Sequence, residues 1–160
     1  MRRLVLTSLI AAGLMLAFAP DVTAQVRQME AALNGGEETP PINTGAFGTA
    51  EVSVDLNRRT INYRVRVWNF PTGATVGHFH AGAEDTPGPV IINLNVPSGA
   101  TDDFEVSGTA TQADFVPRPE KGIHTWDDAL QAVVGSNTYI NIHSMANPTG
   151  EIRGQVLPKN

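Results

Sequence analysis

From Thr60 to Asn69 the side chains alternate without a break. Ile61, Tyr63, Val65 and Val67 fall on one side, and Asn62, Arg64 and Arg66 on the other. A period of two is the signature of a strand with one buried and one wet face, which antiparallel sheets provide. Ala50 to Leu56 repeats the pattern, with Val52, Val54 and Leu56 against Glu51, Ser53 and Asp55, and Asn57-Arg58-Arg59 reads as the hairpin turn between the two. Further strands are expected near Val26–Ala32, Val76–Ala81, Val90–Asn95, Phe104–Thr111, Tyr139–Ser144 and Glu151–Leu157. Breaks rich in Gly, Pro, Asn and Asp separate them, such as Pro71-Thr72-Gly73 and Asn147-Pro148-Thr149-Gly150. Only Trp126–Val134 departs from this pattern. Trp126, Ala129, Leu130 and Val133 recur at helical spacing, Thr125 can cap the start and Gly135 the end. About eight short strands and one short helix point to an all-β fold, an antiparallel Greek-key β-sandwich or barrel.

The first 24 residues read differently. Arg2 and Arg3 precede an uncharged apolar stretch from Leu4 to Ala19, and Val22-Thr23-Ala24 is a small-x-small site before Gln25. That is the layout of a signal peptide over 1–24, with one domain over 25–160 and a periplasmic or secreted destination. No later run is long and apolar enough to span a bilayer, so no membrane association is expected after cleavage. The whole chain carries a net charge of -5, which includes the two arginines of the leader. Such an acidic chain lacks the basic surface of a nucleic-acid binder. It has no cysteine, which excludes disulfides, thiolate metal sites and thiol catalysis. The first residues after cleavage, 25–30, read as a loose terminus.

Four histidines remain as chemistry-bearing groups: His78, His80, His124 and His143. In His78-Phe79-His80 the two imidazoles point to one face of a strand and Phe79 to the other. In Tyr139–Ser144 the core face is Ile140 and Ile142, which leaves His143 on the outer face with Tyr139 and Asn141. Imidazoles of two strands on one exterior can share a metal, with His124 as a fourth ligand from the loop before the helix. An all-nitrogen set suits copper, or less well zinc, and does not suit Mg or Ca. The competing reading makes these histidines a polar face that hydrogen-bonds loop backbone. Glu38, Glu151 and Arg153 read as an ion-pair group pinning loops. Asp102-Asp103 lacks a calcium-loop pattern, and Asp127-Asp128 suits the helix start. Trp68 shares the face of Arg64 and Arg66. It is either packed under a loop or an exposed anchor for a protein partner.

The same residues carry a family likeness. Leu33-Asn34-Gly35-Gly36-Glu37-Glu38-Thr39-Pro40-Pro41 resembles the opening motif of CHRD domains, a module named after chordin. His78-Phe79-His80-Ala81-Gly82 with Gly88-Pro89-Val90 resembles the H-x-H-x-G…G-P-V signature of that family. Tyr139-Ile140-Asn141-Ile142-His143 with Asn147-Pro148-Thr149-Gly150-Glu151-Ile152-Arg153-Gly154-Gln155 resembles its ending. The resemblance runs from about Met29 to Leu157 and implies an exported module, since CHRD domains occur in bacterial exported proteins and in an extracellular growth-factor antagonist.

The H-x-H strand is also similar to the copper-ligand strand of copper/zinc superoxide dismutases, a Greek-key β-barrel. That likeness implies copper on His78, His80 and His143, a superoxide-dismutase-like redox activity, and Arg153 as the counterpart of the superoxide-guiding, catalytic arginine. The disulfide and the histidine-rich zinc loop of those enzymes have no counterpart here, which leaves a copper-only site. The alternative is a non-enzymatic extracellular binding or matrix module with structural histidines.

Overall fold

The computed structural model describes residues 25–71 and 73–160. The expected leader, 1–24, lies outside the described residues. Three long strands form a meander: β1 (Val26–Asn34), β2 (Phe47–Asp55) and β3 (Thr60–Phe70). β1 pairs with β2 from Val26↔Asp55 to Asn34↔Phe47, and β2 with β3 from Phe47↔Trp68 to Asp55↔Thr60. This register places Val52, Val54, Ile61, Tyr63, Val65 and Val67 together in the core. At the hairpin turn the Asp55 carboxylate accepts the N–H groups of Asn57 and Arg58, and Arg59 takes a left-handed φ of 56°.

The remaining strands are β4 (Ala74–Ala81), β5 (Val90–Leu94), β6 (Asp102–Ala110), β7 (Thr138–Ser144), β8 (Ile152–Gln155) and β9 (Leu157–Pro158). The sheet order is β5-β4-β7-β8-β1-β2-β3-β6, antiparallel throughout, with β9 extending the β8 side of β1. β5 and β6, at the two ends of that order, approach each other and nearly close a barrel. The Tyr63 hydroxyl of β3 helps bridge this gap by accepting the Asn95 N–H at 3.1 Å. Phe79, Ile91, Ile92, Ile140, Ile142 and Ile152 fill the interior from this half.

Three sequence expectations change. Residues 26–30 are not loose, because β1 is paired along its whole length with β2 and Lys159 N–H reaches the Gln28 carbonyl. β2 begins at Phe47 rather than Ala50, because Phe47 is held by a cross-strand stack on Trp68. The last expected strand is divided at Val156, whose fully buried side chain separates β8 from β9.

The helix α1 (Trp126–Val134) forms where its periodicity places it. Thr125 and Asp128 make a reciprocal capping box, which satisfies N–H groups the first turn leaves free. Trp126 donates its indole N–H to the Arg59 carbonyl at 2.8 Å, so α1 seals the barrel end at the β2–β3 turn. Asp127 pairs with Arg59 at 2.8 Å. Thr125→Ala is expected to cost about 1 kcal/mol. A lower urea midpoint at unchanged slope would register that loss, and an unchanged midpoint would contradict the capping role.

Candidate metal centre

β4 carries two of the histidines because its alternation sends Phe79, fully buried, into the core. His78 and His80 therefore share the outer face. β7 pairs with β4 through His78↔Asn141 and His80↔Tyr139, and His143 follows two residues beyond Asn141 on the same face. One ligand nitrogen from each of His78, His80 and His143 lies within 4.8 Å of the others. The ring centroids are 5.4 Å apart for His78 and His80, 4.9 Å for His78 and His143, and 5.8 Å for His80 and His143.

Backbone carbonyls orient two of these rings. Nδ1–H of His80 donates to the Gly88 carbonyl at 2.8 Å, and Nδ1–H of His143 donates to the Pro148 carbonyl at 2.9 Å. Each Nε2 is then left as a lone pair, a tautomer assigned by the hydrogen-bond network. His143 Nε2 faces His78 Nδ1 at 3.1 Å, so without a cation His78 donates this bond. His80 Nε2 is buried and has no partner.

The outer face is not an open surface, as the alternation alone would suggest. His80 is 8% and His143 7% exposed, and all of β7 is buried. Segments from other parts of the chain cover it, including Glu38–Pro40, Pro87–Gly88 and Thr149–Gly150. Gly88 approaches the β4 backbone so closely that a Cβ there would collide with the Ala81 carbonyl. This fit also lets Gly88 N–H donate to the Tyr139 hydroxyl at 3.0 Å. Burial pushes the His80 imidazole down to about 4, with the Gly88 carbonyl partly opposing. Burial and then the two neighbouring imidazoles push His78 down to about 4, and burial also lowers His143. All three are therefore neutral near pH 7, the form that ligates metal.

Other expected residues sit elsewhere. His124 is not in the cluster. It is exposed at the start of α1, where its backbone N–H donates to Asp128, and the helix carries it to the barrel end. Arg153 does not stand as a free cation over the site. Only 3% exposed, it donates to the carbonyls of Ala83 and Thr86 and to Thr39 Oγ1, and its Cζ lies 3.5 Å from the centre of the Tyr139 ring.

Nor do Glu38, Glu151 and Arg153 form the expected ion pairs. Among the described residues neither carboxylate lies within salt-bridge distance of Arg153. Glu38 instead accepts the Asn141 side-chain N–H at 2.8 Å. Burial pushes the Glu38 carboxyl up to about 7 against the pull of Arg153. Glu151, 1% exposed, accepts the Ser144 hydroxyl at 2.7 Å and the Asn147 amide. Burial alone would raise its carboxyl, but hydrogen bonds from Thr44, Asn147 and Ser144 hold it below the usual range.

Tyr139 is a site residue that the sequence reading passed over. Its ring stacks on His80 at 4.8 Å and 10°, and β7 places it between His80 and Arg153. The available signal was its two-residue spacing from Asn141 and His143. Trp68 is half-buried and stacks at 5.3 Å on Phe47, which is 46% exposed.

A comparison with curated proteins finds no match. A comparison with protein families matches residues 29–156 to the CHRD domain. That span takes in the strands that carry the three clustered histidines and the turns that orient them, and on it the chain belongs to the CHRD domain family.

Proposed function

We propose that this chain is an exported CHRD module that holds one copper ion through His78 Nδ1, His80 Nε2 and His143 Nε2. The observation that carries the reading is that His78, His80 and His143 bring one ring nitrogen each within 4.8 Å of the others while the buried His80 Nε2 has no partner. A buried polar atom without a partner is uncommon in a native fold and is often the sign of a missing ligand. Imidazole nitrogen bonds a metal at about 2 Å, so opposed ligands stand about 4 Å apart and the widest separation here must close slightly. Among divalent ions an all-nitrogen set holds Cu(II) more tightly than Zn(II).

The chain's own residues prepare the site. Gly88 and Pro148 carbonyls select the tautomers of His80 and His143, and Tyr139 fixes the plane of the His80 ring. His78, only half-buried, leaves the approach from solvent open. Bound copper would supply one-electron chemistry by cycling between Cu(II) and Cu(I), and superoxide is the substrate the dismutase likeness suggests. Arg153 is engaged with backbone carbonyls and is not offered to superoxide as a free cation. No helix among the described residues is long and apolar enough to cross a membrane, and export rests on the leader-like sequence and the family.

Protein recovered from the exported compartment should begin at Gln25 and carry one equivalent of copper with nitrogen hyperfine structure in its EPR spectrum. His80→Ala and His143→Ala should each weaken copper binding by at least about 100-fold, since losing only a group that hydrogen-bonds a ligand costs about 10–100-fold. His124→Ala should leave it unchanged. Equal copper binding by His143→Ala and wild type would sink the proposal. A superoxide assay on the copper-loaded protein separates storage from turnover. A folded protein that takes up no metal would favour partner binding through the Phe47–Trp68 stack.

A further inference from the structure

A second feature of the covered face is independent of the metal. A cavity of about 250 Å³ lies over β7 and β8, lined by Glu38, Ile42, His80, Tyr139, Asn141 and Arg153 among others. Two of its polar groups are incompletely satisfied. Asn141 is 2% exposed, and its Oδ1 is buried with no partner. Arg153 is a buried cation whose hydrogen-bond acceptors are all neutral: two carbonyls and a hydroxyl. These bonds use three of its five N–H donors.

A buried charge is costly unless an opposite charge touches it. Glu38, the carboxyl that lines the cavity, lies beyond salt-bridge distance and hydrogen-bonds Asn141, and burial disfavours its charged form. The Asn141 NH2 gives one hydrogen to Glu38 Oε1 and keeps a second for another acceptor. Gly150 shapes the wall. Its φ of 144° and its closeness to Asn141 and the Glu38 carboxylate leave no room for a Cβ.

We propose that this chamber is a binding site for a small organic carboxylate, which supplies the counter-charge that Arg153 lacks and accepts hydrogen bonds from its free N–H groups and from the Asn141 amide. The size of the chamber admits a carboxylate of a few heavy atoms and no polymer. Both Nη2 hydrogens are taken by the Ala83 and Thr86 carbonyls, so a carboxylate would meet the remaining Nε–H or Nη1–H through a single charge-assisted bond. Chamber and histidine cluster share His80 as a common wall, so an occupant would sit beside the metal centre without needing the metal in order to bind.

The test uses the metal-free protein, so a failure of copper binding would not affect it. Titration with ¹³C-acetate, followed by NMR, should give a saturable one-to-one shift and move the Arg153 Nε–H and Asn141 side-chain resonances. Arg153→Gln should weaken binding by at least about tenfold, equivalent to about 1.4 kcal/mol. Because that variant removes a buried anchor, Ile42→Trp provides a second route. It fills the chamber from the half-buried loop and leaves Arg153 in place, and it should abolish saturable binding. Acetate that gives no saturable shift with the wild type overturns the proposal, as does binding that persists unchanged in Ile42→Trp.

Discussion

Lowering the pH from 7 to 4 is expected to destabilise a metal-free Glu38→Gln variant by about 3 kcal/mol or more, and the wild type by less. The imidazoles of His78 and His80 are held down to about 4 from an ordinary value of 6.5. Between those values the unfolded chain binds protons that the folded chain excludes, so stability falls as pH falls. His80 alone accounts for about 3 kcal/mol at 1.36 kcal/mol per unit. His78 contributes less because part of it stays wet, and His143 acts in the same direction.

Glu38 works the other way. Its carboxyl keeps its proton in the fold up to about 7 and loses it near 4.5 when unfolded. Below 7 the folded form binds the extra proton, and stability rises as pH falls to 4.5. The wild type therefore shows a partly cancelled slope, and Glu38→Gln removes the cancelling part. Urea denaturation at pH 7, 5.5 and 4 measures both. A Glu38→Gln protein with flat stability over that range would show that the histidines are not kept neutral by burial. The same protonation should release copper below about pH 4, since a protonated imidazole has no lone pair to give.

Replacing Glu151 with alanine should cost about 2–4 kcal/mol, a large share of a domain's total stability. Its carboxylate is buried and accepts the Ser144 hydroxyl and the Asn147 Nδ2–H, two donors that would lose this acceptor. The damage should reach the metal centre. Asn147 and Pro148 belong to one turn, and the Pro148 carbonyl orients His143. Copper affinity of the folded fraction should fall by about 10-fold, in the range seen when an outer-shell partner is lost. Glu151→Gln keeps the shape and half of the acceptor capacity, and should lie between the two. A Glu151→Ala variant within about 0.5 kcal/mol of wild type would mean that the carboxylate is not a structural anchor.

The fate of particular residues shows how much could be read in advance. Phe79 in the core with His78 and His80 opposite, the Ile140 and Ile142 face of β7, and the Thr125-capped helix all follow from periodicity. These are local properties: the pleat decides facing over two residues and the helix over four. The CHRD motifs likewise lie in continuous stretches. His124 stands apart from the three clustered histidines, and a loop residue has no periodicity to say where it points. Arg153 and Glu38 find their partners in distant segments, Ala83 and Thr86 carbonyls for one and Asn141 for the other, which no local pattern announces.

By itself, then, the order of residues determined which elements form, which side of each strand is apolar, and which imidazoles lie on the far side. Only the tertiary structure decided that three segments fold down over that far side, that Gly88 and Pro148 present carbonyls to His80 and His143, and that Arg153 is buried without an adjacent anion. Facing is set by backbone geometry between neighbours in the chain. Burial and pairing are set by whatever the completed barrel brings across from tens of residues away, and no short-range pattern encodes that.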